Sequence, residues 1–293
     1  MTETRDQWHR WLLDVRHGGD TAYREQMLSA GLYPVRDRVL DLAKLDPGAT
    51  LLDVGCGDGL IAFGALDRLG PWGRVVFSDV SQDLLDHCRA TATASGQASR
   101  CEFVRAGADR LTGIADASVD VVTTRSVLIY VKDKASAFAE FRRVLRPGGR
   151  VSLFEPINVL MHARDPGRLG GYDVSPIAPI AAKLAGRFNQ IQPAGDDPMV
   201  DFDDRDLVRL AEQAGFTEVG LELQVTVSAT RTPCPWDRFL RMSGNPRVPP
   251  LGEVLSDVLT ESEVAEFTAH MRPLVESGEG IERRAVAYLT AGG

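Results

Sequence analysis

The stretch Leu51-Leu-Asp-Val-Gly-Cys-Gly-Asp-Gly59 carries the strongest structural signal of the chain. Its first four residues are mostly apolar and predict a buried strand, and three glycines spaced G-x-G-x-G follow directly. Glycines at this place let the backbone turn sharply and approach a ligand closely, and a helix beginning after Gly59 offers free N–H groups at its amino end. The sequence therefore predicts a strand, a ligand-binding loop and a helix in succession.

Short apolar runs alternate with segments of helical periodicity around this loop. The predicted strands are Thr50–Val54, Arg74–Asp79, Cys101–Val104, Val119–Thr124 and Gly149–Glu155, and the helices between them are Leu60–Leu69, Gln82–Ala94 and Lys132–Leu145. Nearly continuous apolar strands are typical of a parallel sheet that is covered on both faces. The alternation of strands and helices therefore predicts a doubly wound α/β fold.

The segments outside this core suggest a helical cap and two insertions. We predict an N-terminal helical cap at 1–46, a cofactor-binding core at 47–156, a lid insertion at 157–203, and a C-terminal part at 204–293 with its own insertion at 231–280. Both insertions are rich in proline and glycine, and long segments of this kind are commonly lids or binding loops. The alternative is that they form the interface of a homodimer.

Two aspartates give the glycine loop a more specific meaning. Nicotinamide-binding folds usually have G-x-G-x-x-G, with a helix dipole facing a pyrophosphate. Here the spacing differs, and Asp53 stands two residues before the first glycine, which suits a ligand with cationic amino and sulfonium groups. The second strand ends at Asp79, and an acid at that position can accept both hydroxyls of a ribose.

Three features resemble, in this order, the motifs of class I S-adenosylmethionine (SAM)-dependent methyltransferases. They are Asp53-Val-Gly55-Cys-Gly57-Asp-Gly59, Asp79 and Leu145-Arg-Pro147-Gly148-Gly149. The resemblance covers about residues 35 to 155 and is to the branch with the ubiquinone/menaquinone-biosynthesis and small-molecule enzymes. It implies a Rossmann-like, seven-stranded, mostly parallel sheet with SAM as cofactor and S-adenosyl-L-homocysteine (SAH) as product. It also implies in-line methyl transfer to a small-molecule acceptor.

The resemblance also implies roles for single residues. Asp53, Gly55 and Gly57 match the motif that wraps the methionine part of SAM. Asp79 matches the acid that holds the ribose, and Val80 matches the residue beside the adenine.

The third motif region departs from the family pattern Gly-Asp-Ala. Gly107 stands at the position of the aspartate and Ala108 at that of the alanine, so Asp109, two residues on from Gly107, is the candidate partner of the adenine amino group. Arg125 lies at the tip of strand four, where relatives contact the methionine part or the acceptor. A structural ion pair is the alternative interpretation of Arg125.

The acceptor wall is expected from the tips of strands four and five, because strand tips in this fold face the ligand crevice. The residues there are Arg125, Ser126, Tyr130, Glu155 and Asn158, with Glu155 and Tyr130 as candidate general bases. Apolar runs at 177–180 and 233–239 are expected to line the site. Among the histidines, only His162 follows a strand tip closely, and isolated histidines are more often structural.

Composition narrows the partners and the setting. The formal net charge of −8 argues against nucleic acid as substrate, as does the absence of an Asn/Asp-Pro-Pro-Tyr/Phe motif after strand four. The four cysteines lack metal-ligand spacing, so we expect no metal, and reduced thiols in a cytoplasmic protein without a membrane partner. A protein that binds SAM to catalyse another reaction, or only to sense it, remains the alternative function.

Overall fold

A seven-stranded sheet forms the centre of the molecule in a computed structural model that describes residues 5–161 and 167–293. Its strands are β1 (Thr50–Val54), β2 (Arg74–Asp79), β3 (Cys101–Arg105), β4 (Val119–Arg125), β5 (Leu145–Pro156), β8 (Glu218–Ser228) and β9 (Glu282–Gly292). Strands β6 (Arg168–Leu169) and β7 (Tyr172–Asp173) form a separate small hairpin. The predicted α/β fold is confirmed.

The strand order is β3-β2-β1-β4-β5-β9-β8. The first five strands are parallel to one another, and β9 runs antiparallel between β5 and β8. The order of connection reverses between β1 and β4, and in doubly wound sheets such a reversal opens a crevice at the carboxyl ends of the strands.

Helices cover both faces of the sheet. They are α1 (Gln7–His9), α2 (Thr21–Met27), α3 (Tyr33–Ala43), α4 (Leu60–Arg68), α5 (Gln82–Ala94), α6 (Lys134–Val144), α7 (Asn158–Met161), α8 (Ala178–Ile191), α9 (Asp204–Gln213), α10 (Trp236–Arg241), α11 (Leu251–Val258) and α12 (Glu261–Ser277). Successive strand residues face opposite helical layers: Leu51 packs in one core and Leu52 in the other, and both are fully buried. This two-sided burial explains the continuous apolar strands.

The N-terminal helices differ from the predicted pattern. Within the predicted cap, the helical spacing of the sequence predicts one helix over Tyr23–Lys44, whereas in the structure a π-helical segment at Leu28–Leu32 separates α2 from α3. A second π-helical segment, Arg10–Val15, continues α1. It carries Trp11 and Leu12 toward the carboxyl end of the sheet.

The two insertions share one hydrophobic core. Leu184 of α8, Trp236 of α10 and Phe267 of α12 are buried together, although they come from segments far apart in the sequence. The runs 177–180 and 233–239 were expected to line the acceptor site. That expectation is wrong for Ile177 and Trp236, whose side chains pack inside this core because the helices bury their apolar faces against one another.

The insertions contain no membrane-spanning element among the described residues. No helix within 5–161 or 167–293 combines the length and the apolar composition needed to cross a bilayer. His162, the histidine considered from the sequence, lies outside the described residues.

Candidate cofactor and acceptor site

One cavity of about 410 Å³ opens at the carboxyl ends of β1, β2 and β4, at the reversal point of the sheet. It extends from the second and third strand ends to the fourth and fifth, and N-terminal residues cover it. Its lining includes Trp8, Trp11, Leu12, Arg16, Gly55, Gly57, Asp79, Val80, Gly107, Ala108, Asp109, Arg125, Ser126, Ile129, Tyr130, Lys132, Asn158, Met161 and Met199. Most residues predicted for the cofactor therefore lie around one space, whose volume is within the usual range of ligand sites.

The glycine loop follows β1 with a backbone that other residues adopt poorly. Gly55 has a φ of 63° and Gly57 a φ of 57°, both in the left-handed region. A Cβ on Gly55 would lie 2.4 Å from Cγ2 of Val127, and one on Gly57 would lie 3.1 Å from Cδ2 of Leu12. Glycine at both positions lets the loop border the cavity without filling it.

Asp79 ends β2 and fixes the glycine loop from its side. Its Oδ2 accepts a hydrogen bond from the Gly57 N–H at 2.9 Å, and its Oδ1 accepts one from the Ser81 N–H at 2.9 Å. The side chain is nearly buried yet borders the cavity. Burial raises the pKa of Asp79, and the backbone hydrogen bonds oppose that rise by favouring the ionised form.

Asp53 lies beneath the loop and does not line the cavity. Its Oδ1 accepts a hydrogen bond from the Thr123 hydroxyl at 2.9 Å, and its Oδ2 accepts one from the Ala62 N–H at 3.1 Å. Burial raises its pKa to about 7. The carboxylate thus joins β1 to β4 and to the start of α4, and its predicted contact with the cofactor remains a prediction.

The residues expected beside an adenine form the opposite end of the cavity. Val80, Gly107, Ala108 and Asp109 all line it, and Val80 is 45% exposed, which is unusual for a valine at a strand end. A Cβ on Gly107 would lie 2.8 Å from Oδ1 of Asp109. The absence of a side chain at Gly107 therefore leaves room for the Asp109 carboxylate. Asp109 is the residue predicted to take the place of the family's aspartate, whose position Gly107 occupies.

Arg125 lies at the tip of β4 and also borders the cavity. The parallel register pairs Val54 with Thr124, so Arg125 stands level with Gly55. Its guanidinium forms no ion pair or hydrogen bond with the described residues. The alternative interpretation of Arg125 as a structural ion pair is therefore not supported.

Comparisons with known proteins agree with this arrangement. Residues 52–153 match the family model described as a methyltransferase domain. The chain is 36% identical over 151 residues to nocamycin O-methyltransferase of Saccharothrix syringae, covering 50% of this chain and 53% of that protein. It is 33% identical over 164 residues to the ubiquinone/menaquinone biosynthesis C-methyltransferase UbiE of Pseudomonas putida, covering 54% and 61%.

Residues 52–153 therefore form a methyltransferase domain of the class I SAM-dependent type. The predicted cofactor, SAM, is thereby confirmed as that of the family. The fold agrees with a solved structure of a candidate sarcosine dimethylglycine methyltransferase from Galdieria sulphuraria, with a TM-score of 0.53 and 16% identity over 98% of both chains. The chain spans only about half the length of the curated relatives it matches.

Within this methyltransferase fold, Glu155 does not lie where a base for the acceptor is needed. It is fully buried and absent from the cavity lining. Its carboxylate accepts hydrogen bonds from three consecutive backbone N–H groups, those of Val127, Leu128 and Ile129, at 2.8, 2.9 and 3.4 Å. The prediction of Glu155 as a base is therefore corrected: the carboxylate positions the loop after β4, and burial raises its pKa to about 7.

Tyr130, the other candidate base, does line the cavity, as part of an aromatic wall formed by Trp8, Trp11 and Tyr130. The ring centroids of Trp8 and Trp11 lie 5.0 and 6.5 Å from that of Tyr130, both with edge-on geometry. Burial raises the pKa of Tyr130 to about 12, so the phenol stays protonated at neutral pH. It can donate a hydrogen bond there but is a poor base.

The N-terminal part of this wall was missed in the sequence. Trp8, Trp11, Leu12 and Val15 recur at spacings of three and four residues, which indicates an apolar helical face. That face covers the cavity, and the Trp11 indole N–H donates to the Ser243 carbonyl at 3.0 Å. The sequence predicted a helical cap at 1–46, and the apolar spacing within it could also have indicated which of its residues face the site.

Proposed function

We propose that this protein transfers the methyl group of SAM to a small-molecule acceptor, and that both molecules bind in the one cavity. The observation that carries this proposal is the continuity of that cavity. It joins the glycine loop and Asp79 on one side of β1 to Arg125 and the aromatic wall on the other. Cofactor and acceptor can therefore meet in one space, held close to each other, which favours a displacement reaction.

The residues around the cavity fit the chemistry of SAM. The Asp79 carboxylate suits the two ribose hydroxyls, and the exposed Val80 side chain suits the adenine face. Gly55 and Gly57 leave the backbone open to the methionine part. Arg125, without an ion pair among the described residues, suits the methionine carboxylate.

When bound, SAM supplies a methyl group on a positively charged sulfur. The residues of this chain then have to hold the acceptor close to that group and exclude water. Ile129, Met161 and Met199 give the acceptor side apolar walls, and the protonated Tyr130 hydroxyl offers a hydrogen-bond donor. The similarity to nocamycin O-methyltransferase supports a small-molecule acceptor of natural-product type.

Mass spectrometry of the purified protein for bound SAM or SAH is the first test, followed by calorimetry with SAM. An acceptor screen then looks for products carrying one additional methyl group and for equimolar SAH. SAM binding without any methylated product across the screen would favour the alternative of a non-methylating or sensing protein. Failure to bind SAM or SAH at all would overturn the assignment of the cavity.

A further inference from the structure

Arg16 places a second cation in the cavity, close to Arg125. Its guanidinium lies over the Trp11 ring, 5.1 Å from the centroid, and forms no ion pair or hydrogen bond with the described residues. Burial, followed by the like charge of Arg125, lowers the pKa of Arg16 to about 10. Both arginines are partly buried in the cavity wall, and two neighbouring cations there are unfavourable unless an anion compensates them, so this end of the cavity suits negative charge.

The carboxylates that line the cavity do not supply that charge. Among the described residues they are Asp79, at the end of β2, and Asp109, after β3, and both lie across β1 from Arg125. Lys132, the remaining cation of the lining, already has a partner, because its ammonium lies 2.7 Å from Oδ1 of Asp196.

Three acids outside the lining lie near enough to act on Arg16 or Arg125, but each is engaged elsewhere. Asp58 pairs with Arg24, and the buried Asp53 and Glu155 accept hydrogen bonds from other groups. Arg16 and Arg125 are therefore the cations of the lining that have no ion-pair partner among the described residues.

SAM carries one carboxylate, and under the proposed function that group pairs with Arg125. A single anion leaves the charge of Arg16 uncompensated. The remaining anion then has to come from the acceptor. Because Arg16 follows the segment that carries Trp11, the acceptor's charge is expected directly beside the aromatic wall.

We propose that the acceptor is an aromatic or conjugated acid whose ionised oxygen pairs with Arg16 while its ring lies against the aromatic wall. This inference rests on the proposed function and names its substrate class. Flat rings stack well on tryptophan, and a guanidinium offers a fork of donors to a carboxylate or an acidic hydroxyl. The ionised oxygen carries no proton that a base would have to remove, so methylation at that oxygen needs no base, in agreement with the buried Glu155 and the protonated Tyr130.

The test compares a ring that carries an acid with the same ring carrying a neutral amide. Calorimetry of the SAH-loaded protein with naphthoate and with naphthamide measures both dissociation constants. We expect the wild type to bind naphthoate at least about tenfold more tightly, the effect of a charge-assisted hydrogen bond. Arg16→Gln should remove this preference by weakening naphthoate alone, and should leave SAH affinity within about threefold, since Arg16 does not hold the cofactor.

Lys132→Gln is the matched control, because it removes a cation of the same lining that already has an ion-pair partner. It should keep the preference for the acid. Equal binding of acid and amide by the wild type overturns the proposal, and this comparison needs no variant. Loss of SAH binding in Arg16→Gln with the acid preference intact also overturns it, since Arg16 would then hold the cofactor.

A different measurement, the binding of SAM and SAH, shows whether the proposed function itself fails. If the wild type binds neither SAM nor SAH, the methyltransferase assignment of the cavity fails. The naphthoate and naphthamide titrations of the cofactor-free protein still decide whether Arg16 selects an acid.

Discussion

Replacing Asp79 with asparagine tests the cofactor assignment most directly, because the change keeps the shape and removes the charge. The carboxylate accepts from the Gly57 N–H through one oxygen and from the Ser81 N–H through the other, both at 2.9 Å. An amide has one acceptor oxygen, so one of these N–H groups loses its partner. An unpaired buried N–H costs about 1–3 kcal/mol of the free energy of unfolding.

The effect on SAM affinity follows from the same geometry. Asparagine can accept one ribose hydroxyl and not two, and a charge-assisted hydrogen bond contributes about 1.5–3 kcal/mol. The dissociation constant of SAM for Asp79→Asn should therefore rise about 10- to 150-fold. Calorimetry measures the affinity, and denaturant unfolding measures the stability of the same preparation.

Asp203→Ala is the control for stability. The Oδ1 of Asp203 accepts two backbone N–H groups, those of Arg205 and Asp206 at 2.9 and 3.0 Å, but Asp203 caps α9 and does not line the cavity. Without its side chain the protein should lose stability and keep its SAM affinity. A folded Asp79→Asn protein with unchanged SAM affinity would refute the ribose assignment.

Three further outcomes follow from the structure. Gly57→Val should abolish SAM binding by calorimetry, because a branched side chain at a φ of 57° strains the loop and its Cβ approaches Leu12; near-normal binding would contradict the loop assignment. Glu155 has its pKa raised from 4.5 to about 7, so its contribution to stability is complete below pH 4.5 and is lost as the pH rises through 7. In denaturant unfolding, the stability of the wild type relative to Glu155→Gln should accordingly fall by about 3 kcal/mol between pH 5 and 8, and parallel profiles would count against this. Leu184→Ala should cost about 2–5 kcal/mol in the same assay, because Leu184 is fully buried in the core shared by the insertions; a change below about 1 kcal/mol would show that this core is not formed.

The sheet and the cofactor loop could be predicted because their signals are local. Strands that are buried on both faces have nearly continuous apolar sequences, and glycines at left-handed φ are hard to replace by other residues. The predicted bounds of β1, β2 and α5 agree with the structure residue for residue. In the strands and the cofactor loop, a short segment of sequence therefore specifies both the secondary structure and the ligand-binding role.

The insertions could not be predicted in the same way. Ile177, Ile180 and Leu184 recur at helical spacing, and such an apolar face is equally compatible with lining a ligand and with packing on another helix. Whether this face lines a ligand or packs on a helix depends on α10 and α12, which lie far away in the sequence and pack against it in the structure. Arg16 was missed for a related reason: its lack of an ion pair among the described residues is a property of the assembled cavity and not of its neighbours in sequence.

Asp79 and Glu155 show where the prediction of chemistry from strand ends reaches its limit. Both are buried acids at the ends of parallel strands, and both accept backbone N–H groups from a loop that borders the cavity. Only Asp79 also faces the cavity, while Glu155 is covered by the loop that it holds. Residue type and strand-end position do not distinguish the two acids, and only the family motif singles out Asp79, since orientation at a strand end depends on the register with neighbouring strands. In this chain one strand-end acid is available to a ligand, and the other acts on the ligand only through the loop after β4.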